Sequence, residues 1–355
     1  MKKYGRAFNH LEDLVFFYGS DGVKEVVNHI NEISKDPSSV RMKWDGGLQI
    51  YWGREYINGP LIMTGHNGWA RGAKCTTPDE LYDFIVNQSG KDRDNVPESR
   101  KQFAKKFGSL FPLLDAATPT DFVGFVYADA LYLDRPPLCD DEYNFIPNHT
   151  HYYVHKDSKM GNRISKSNIM LVGHAFFDAF GLNDEDQIPL NNFDMFNNTN
   201  EVIVVNPYYS NLPSFTGFEK VELLHIEALT KGIDEFLRPI DGVSAFKDYI
   251  YRYNNYGMKT QHICSFPSWI NNNNISHQQQ LSIMQRIYQE TTGYNNLLNL
   301  IKYVRSFKNE IIHKLDLHAT EHDINAHNPE GWVRYADDTK QFGNIKLVPR
   351  HKWTP

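Results

Sequence analysis

Between Val40 and Gly53 the chain reads Val-Arg-Met-Lys-Trp-Asp-Gly-Gly-Leu-Gln-Ile-Tyr-Trp-Gly. Apolar side chains at Val40 and Met42, then at Leu48, Ile50 and Trp52, follow the every-second-residue spacing of strands with a buried face. Gly46-Gly47 between the two halves demands a turn, so the stretch reads as strand, turn, strand. Lys43 stands at the end of the first strand. An amine, a carboxylate two residues on and a glycine turn then share one small volume, and desolvation or a nearby cation makes such an amine nucleophilic. The purely structural reading of the same residues is an Asp-Gly hairpin turn with an ordinary surface lysine.

The rest of the chain alternates helix and strand patterns. Residues 10–34 carry Leu11, Leu14 and Val15, then Val23, Val26, Val27, Ile30 and Ile33, the spacing of two short helices parted by Gly19-Ser20-Asp21-Gly22. A third strand at 60–64 enters Gly65-His66-Asn67-Gly68. Thr77-Pro78-Asp79-Glu80 combines a capping box with proline at the first helical position, so a helix starts there, and another spans about 98–114. Residues 121–132 are almost wholly apolar and aromatic, as in a buried central strand, and Asp129 interrupts them. Strand-like runs recur at 151–154, 169–177 and 201–205, helical periodicity dominates 218–318, and two short strands follow at 330–335 and 344–348. The expected class is α+β, with a core at 1–215, a helical insertion at 216–324 and a return to the core at 325–355.

Composition narrows the function classes. Of 355 residues, 41% are hydrophobic and 14% aromatic, enough to fold a substantial core. A net charge of −6 argues against a protein coated in nucleic acid, while leaving room for a local basic groove. Cys75, Cys139 and Cys264 are scattered without Cys-x-x-Cys spacing, which points away from a disulfide framework or zinc site and toward a reducing, cytoplasmic compartment. No window approaches 18 consecutive apolar residues, so no membrane partner is expected. A Gly-x-x-x-x-Gly-Lys-Ser/Thr loop is absent, which disfavours a P-loop enzyme.

Lys43-Trp44-Asp45-Gly46 resembles motif I of the covalent nucleotidyltransferases, the superfamily of DNA ligases, RNA ligases and mRNA capping enzymes. An ordered series after it extends the resemblance. Asn67-Gly68 is similar to the ligases' Arg-Asn-Gly segment, with His66 where arginine is common; Tyr127-Ala128-Asp129 resembles motif III, with alanine for the usual glycine. Residues 146–154 and 167–174 fall where motif IIIa is expected, with Tyr152 or Tyr153 available to stack on a base. Glu330-Gly331-Trp332-Val333 resembles motif IV, and Ile345-Lys346-Leu347-Val348 resembles motif V with Val348 at its usual second lysine. The layout of residues 8–215 and 325–353 is similar to ligase-like proteins of tailed bacteriophages.

What the resemblance implies is an adenylation fold of the ligase, ATP-grasp-like type, with antiparallel sheets flanked by helices. It implies ATP as substrate nucleotide and magnesium as cofactor, with Lys43 attacking the α-phosphate. Arg41, Met42, Asp45, Gly46, His66, Asn67, Tyr153, Lys346 and Arg350 would contact the nucleotide, and Asp129 and Glu330 would hold the metal. A nucleic-acid end is the implied acceptor; a protein or small molecule is the alternative, as is a degenerate ligase fold kept as a nucleotide-binding or virion interaction module. A C-terminal OB domain with motif VI is missing, and the helical insertion is expected to supply acceptor binding or a lid in its place. Oligomeric state stays open.

Overall fold

The computed structural model describes residues 9–87, 96–183, 186–188, 192–207, 209, 212, 214–260, 268–269, 275–319, 323–327, 329–334 and 344–349. Among them run thirteen strands: β1 Asn9–His10, β2 Val40–Met42, β3 Gln49–Arg54, β4 Ile62–Gly65, β5 Gly124–Tyr132, β6 Leu138–Cys139, β7 Glu142–Phe145, β8 His151–His155, β9 Ile169–Phe177, β10 Val202–Val205, β11 Asn325–His327, β12 Trp332–Arg334 and β13 Ile345–Leu347. They form three open sheets flanked by helices, which makes the protein α+β. The chain divides into two compact units, one holding Met42–Tyr209 with Thr320–Glu330, the other Ala7–Arg41, Ser210–Ala319 and Gly331–Pro355.

The first unit is built on the sheet β10-β9-β5-β3-β4. Its strands alternate as their sequences require. Ile50, Trp52, Val126, Ala128 and Leu171 face one side and pack against Leu81, Ala104, Phe107 and Leu114 from the helices Pro78–Asn87, Glu98–Ser109 and Phe111–Ala117. The expected single helix over 98–114 is thus two, parted at Leu110 just before Pro112. The other face carries Tyr51, Phe125 and Phe177 against Trp69. Thr77 caps its helix as read, accepting from the Glu80 N–H at 3.2 Å, although the Glu80 carboxylate returns to the N–H of Thr76 at 2.7 Å. A second sheet, β11-β8-β7-β6, is antiparallel throughout.

In the second unit the helix Asp13–Lys35 breaks at Gly19 (φ 59°), giving the two helical halves the spacing indicated. The sheet there has the order β1-β13-β12-β2. The helices Lys220–Thr230, Ile233–Phe236 and Thr291–His318 of the helical block share a unit with Asp13–Lys35 and this sheet. Polar ties join them: the buried Lys308 ammonium donates to Glu12 at 2.8 Å, the Trp332 indole to the half-buried Asp316 at 2.8 Å, and the exposed Ser20 N–H to Asp234 at 2.8 Å.

Two expectations about strands are corrected. The sheets are not purely antiparallel, because β9 pairs with β10 and β1 with β13 in parallel; each pair is separated by a connection long enough to return the chain to the same end. The strand, turn and strand around Lys43 form no hairpin: β2 belongs to one sheet and β3 to another, so residues 43–48 are a crossover. Within the described residues no helix is long and apolar enough to cross a membrane.

Candidate active site

The crossover after β2 is shaped by a loop more than a hundred residues away. Asp45 is 3% exposed, and both its oxygens accept hydrogen bonds. The Asn148 amide donates to Oδ1 at 2.8 Å, and the backbone N–H groups of His149 and Thr150 donate to Oδ2 at 2.6 and 2.5 Å. The Asp45 N–H donates to the Tyr152 hydroxyl at 2.7 Å, and the Tyr152 ring lies 5.4 Å from that of Trp44. Burial pushes the Tyr152 hydroxyl up, out of reach of ionisation at neutral pH. At the far end of the turn, Gly47 N–H donates to Ala130 O at 2.9 Å and Ala130 N–H to Leu48 O at 2.8 Å, which docks the crossover on β5.

Gly46 is required by contact. A Cβ there would collide with the Cβ of Asp129, so the glycine of the Lys-x-Asp-Gly run lets the β5 carboxylate lie directly against the turn. Lys43 projects from the start of the same turn and forms an ion pair with Glu330. The lysine side chain is 31% exposed and that of Glu330 only 8%. Gly331 follows with φ +113°, a conformation in which side chains are strained, and this accounts for the Glu-Gly pair at that point. Lys43, Asp45, Asp129 and Glu330, drawn from most of the chain's length, therefore meet on or against one six-residue crossover.

Asp129 has a second neighbour that sequence reasoning missed. His174 Nε2 lies 3.1 Å from Asp129 Oδ2, and both side chains are 16% exposed. The His174 ring packs 5.1 Å from Tyr127, whose hydroxyl accepts from Gln49 at 3.0 Å. Tyr127 stacks on Tyr51 at 4.9 Å, and Tyr51 on Trp69 at 4.6 Å, so a row of rings lines this face of the sheet up to the carboxylate.

The remaining expected residues fall in several places. Met42 is buried; its N–H donates to Pro207 O at 3.0 Å and its sulfur accepts from the Tyr209 hydroxyl at 3.5 Å. Arg41 is buried at the end of the second unit's first segment. His66 and Asn67 are exposed in the first turn of the short helix His66–Ala70, next to Gly65, which pairs with Ile50. Tyr153 faces away from Tyr152 along β8 and stacks on His327 at 4.7 Å. Lys346 pairs on β13 with His10 and Val333 in the second unit, and Arg350 lies outside the described residues.

No group of three or more His, Cys, Asp or Glu residues converges as a metal cage among the described residues. Magnesium bound to a triphosphate does not need one, since one or two carboxylates suffice when phosphates and waters complete the shell. Asp129 Oδ1 fits that role: it is buried and has no hydrogen-bond partner in the described structure, an expensive state that a cation relieves. Asn148, Tyr152 and His174 were legible only indirectly. Gly173 inside an otherwise apolar strand run is a bulge signal that would have singled out its neighbour.

No curated protein and no solved structure matches the chain. Residues 113–292, about half of its length, match a family model described as Family of unknown function (DUF6267). The matched region holds Asp129, the loop that grips Asp45, and His174, and the chain belongs to this family.

Proposed function

We propose that the protein is a magnesium-dependent nucleotidyltransferase with Lys43 as nucleophile and ATP as donor. The observation that carries the reading is the contact of Lys43 with Glu330, two residues singled out independently by their motifs, on a crossover that Asp129 also touches. In the reaction the Lys43 amine attacks the α-phosphorus. A P–N bond forms, the P–O bond to the β-phosphate breaks and pyrophosphate leaves. Glu330, in contact with the amine, takes the proton that the ammonium gives up before its lone pair can react. Asp45 holds the crossover rigid through its three donors and touches no reacting atom. Asp129 and Glu330 are the carboxylates that would hold a magnesium ion brought in with the triphosphate, and that ion would supply charge neutralisation on the phosphates. A polynucleotide end is the proposed acceptor in the second step.

A second reading, a nucleotide-binding module without transfer, is favoured by Val348: the position of the usual second motif V lysine holds a buried apolar side chain. Intact-mass measurement separates the two. Incubation with magnesium and each ribonucleoside triphosphate in turn should add one nucleoside monophosphate, lost on acid treatment. Nucleotide binding without any mass gain would leave the second reading.

A further inference from the structure

The geometry points to His174 as a positioning residue for Asp129: it holds one carboxylate oxygen so that the other stays turned toward a divalent cation. The inference rests on the reading of Asp129 as a metal ligand and adds to it His174, the last residue of the 167–174 run, to which the sequence assigned no role of its own.

Three observations carry it. The first is the strand register. Along β5 and β9, Tyr127 is opposite Ala175 and Ala128 is opposite Gly173, so His174 is the extra residue of a β-bulge. A bulge re-aims the side chain it carries, and this one delivers an imidazole to the carboxylate of the neighbouring strand. The second is the packing that holds the bulge. Gly173 lies beneath the Phe193 ring so closely that a Cβ would overlap its atoms, and Phe193 is itself fully buried in the sheet's other face. On the His174 side, Tyr127 packs against the imidazole at 5.1 Å. The ring is thus fixed from both sides of the sheet. The third is the asymmetry of Asp129. Its Oδ2 lies 3.1 Å from Nε2, an ion-pair contact that is not aligned as a hydrogen bond, while Oδ1 is buried and without a hydrogen-bond partner in the described structure. Gly46 blocks the carboxylate's third side, where the Asp129 Cβ abuts the crossover. A carboxylate held at one oxygen, with its other oxygen desolvated and unsatisfied, is organised for a hard cation at that second oxygen.

Metal binding by the full-length protein, read as the loss of the free Mn2+ signal in electron paramagnetic resonance, tests this without turnover. Asp129→Asn should abolish the site. His174→Ala should weaken it about tenfold, the size of effect expected when the partner of a metal-binding carboxylate is lost. His174→Gln, which keeps an N–H donor near the position of Nε2, should restore most of the affinity. If the alanine variant fails to fold, Gln compared with the similarly sized His174→Leu makes the same distinction. In the labelling reaction the magnesium concentration for half-maximal rate should rise by the same factor, with the rate at saturating magnesium little changed. Mn2+ binding that is equal in wild type and His174→Ala, or insensitive to Asp129→Asn, would overturn the inference. The two readings fail separately: His174-dependent Mn2+ binding without any Lys43 adduct removes the nucleotidyltransferase and keeps the positioning role, whereas an adduct with His174-independent Mn2+ binding does the reverse.

Discussion

Arginine at position 43 would keep the charge that pairs with Glu330 but could not shed a proton to attack phosphorus. Lys43→Arg and Lys43→Ala should therefore both abolish adduct formation while melting within a few degrees of wild type; labelling of either would remove Lys43 as nucleophile. Asp45 has the opposite profile. Its loss strands the Asn148 amide and two backbone N–H groups in a buried site, so Asp45→Ala should destabilise by about 3 kcal/mol in denaturant titrations. An unchanged midpoint would mean that the loop does not depend on it. At this scale the sequence was informative wherever chemistry demands a residue type: Lys43 and Glu330 were legible as charged residues beside short strands, and Asp129 as an acid inside an otherwise apolar strand. Tyr152 and Tyr153 were not separable, since alternation says only that neighbours point to opposite faces, and a one-residue difference decides which meets the crossover.

Elements were legible by periodicity and their partners were not. The run 169–177 is a strand with those same limits, and Thr77 caps its helix, because both signals are local. That β2 and β3 lie in different sheets depends on pairings with distant strands, and nothing within 40–53 encodes it. The parallel β9–β10 pair was hidden for the same reason. Packing against the central sheet has a chemical consequence at Cys75, which bridges to Met63 at the sheet's edge. Burial pushes its thiol up to about 11, so thiolate is scarce near pH 8, and reactivity should appear only as pH climbs toward that value or the chain unfolds. Cys139 is exposed. Brief alkylation of the native protein near neutral pH, followed by peptide mapping, should modify Cys139 and spare Cys75; equal labelling would contradict the packing of this edge.

Taken as a whole, the chain makes two compact units from interleaved segments, and the second is held by charges buried inside it. Glu12 is 0% exposed and Lys308 1%, with Arg305 at 3.4 Å from the same carboxylate. Removing one member of such a set leaves the others uncompensated, so Glu12→Gln should cost about 3–5 kcal/mol, read from the unfolding midpoint. Replacing 216–324 by a short linker should likewise yield insoluble protein, because the helix Asp13–Lys35 and the strands β12 and β13 would lose their partners. A soluble, cooperatively folded deletion would show that the block is an independent insertion after all. The central claim concerns the crossover in the first unit, and one measurement reaches it most directly. The protein is incubated with ATP and magnesium, digested without acid, and the peptides are fragmented by tandem mass spectrometry. The expected product is an adenosine monophosphate on the peptide containing Lys43-Trp44-Asp45-Gly46, with the fragment series placing it on Lys43. An adduct on any other residue, or none under conditions where ATP is bound, would contradict it.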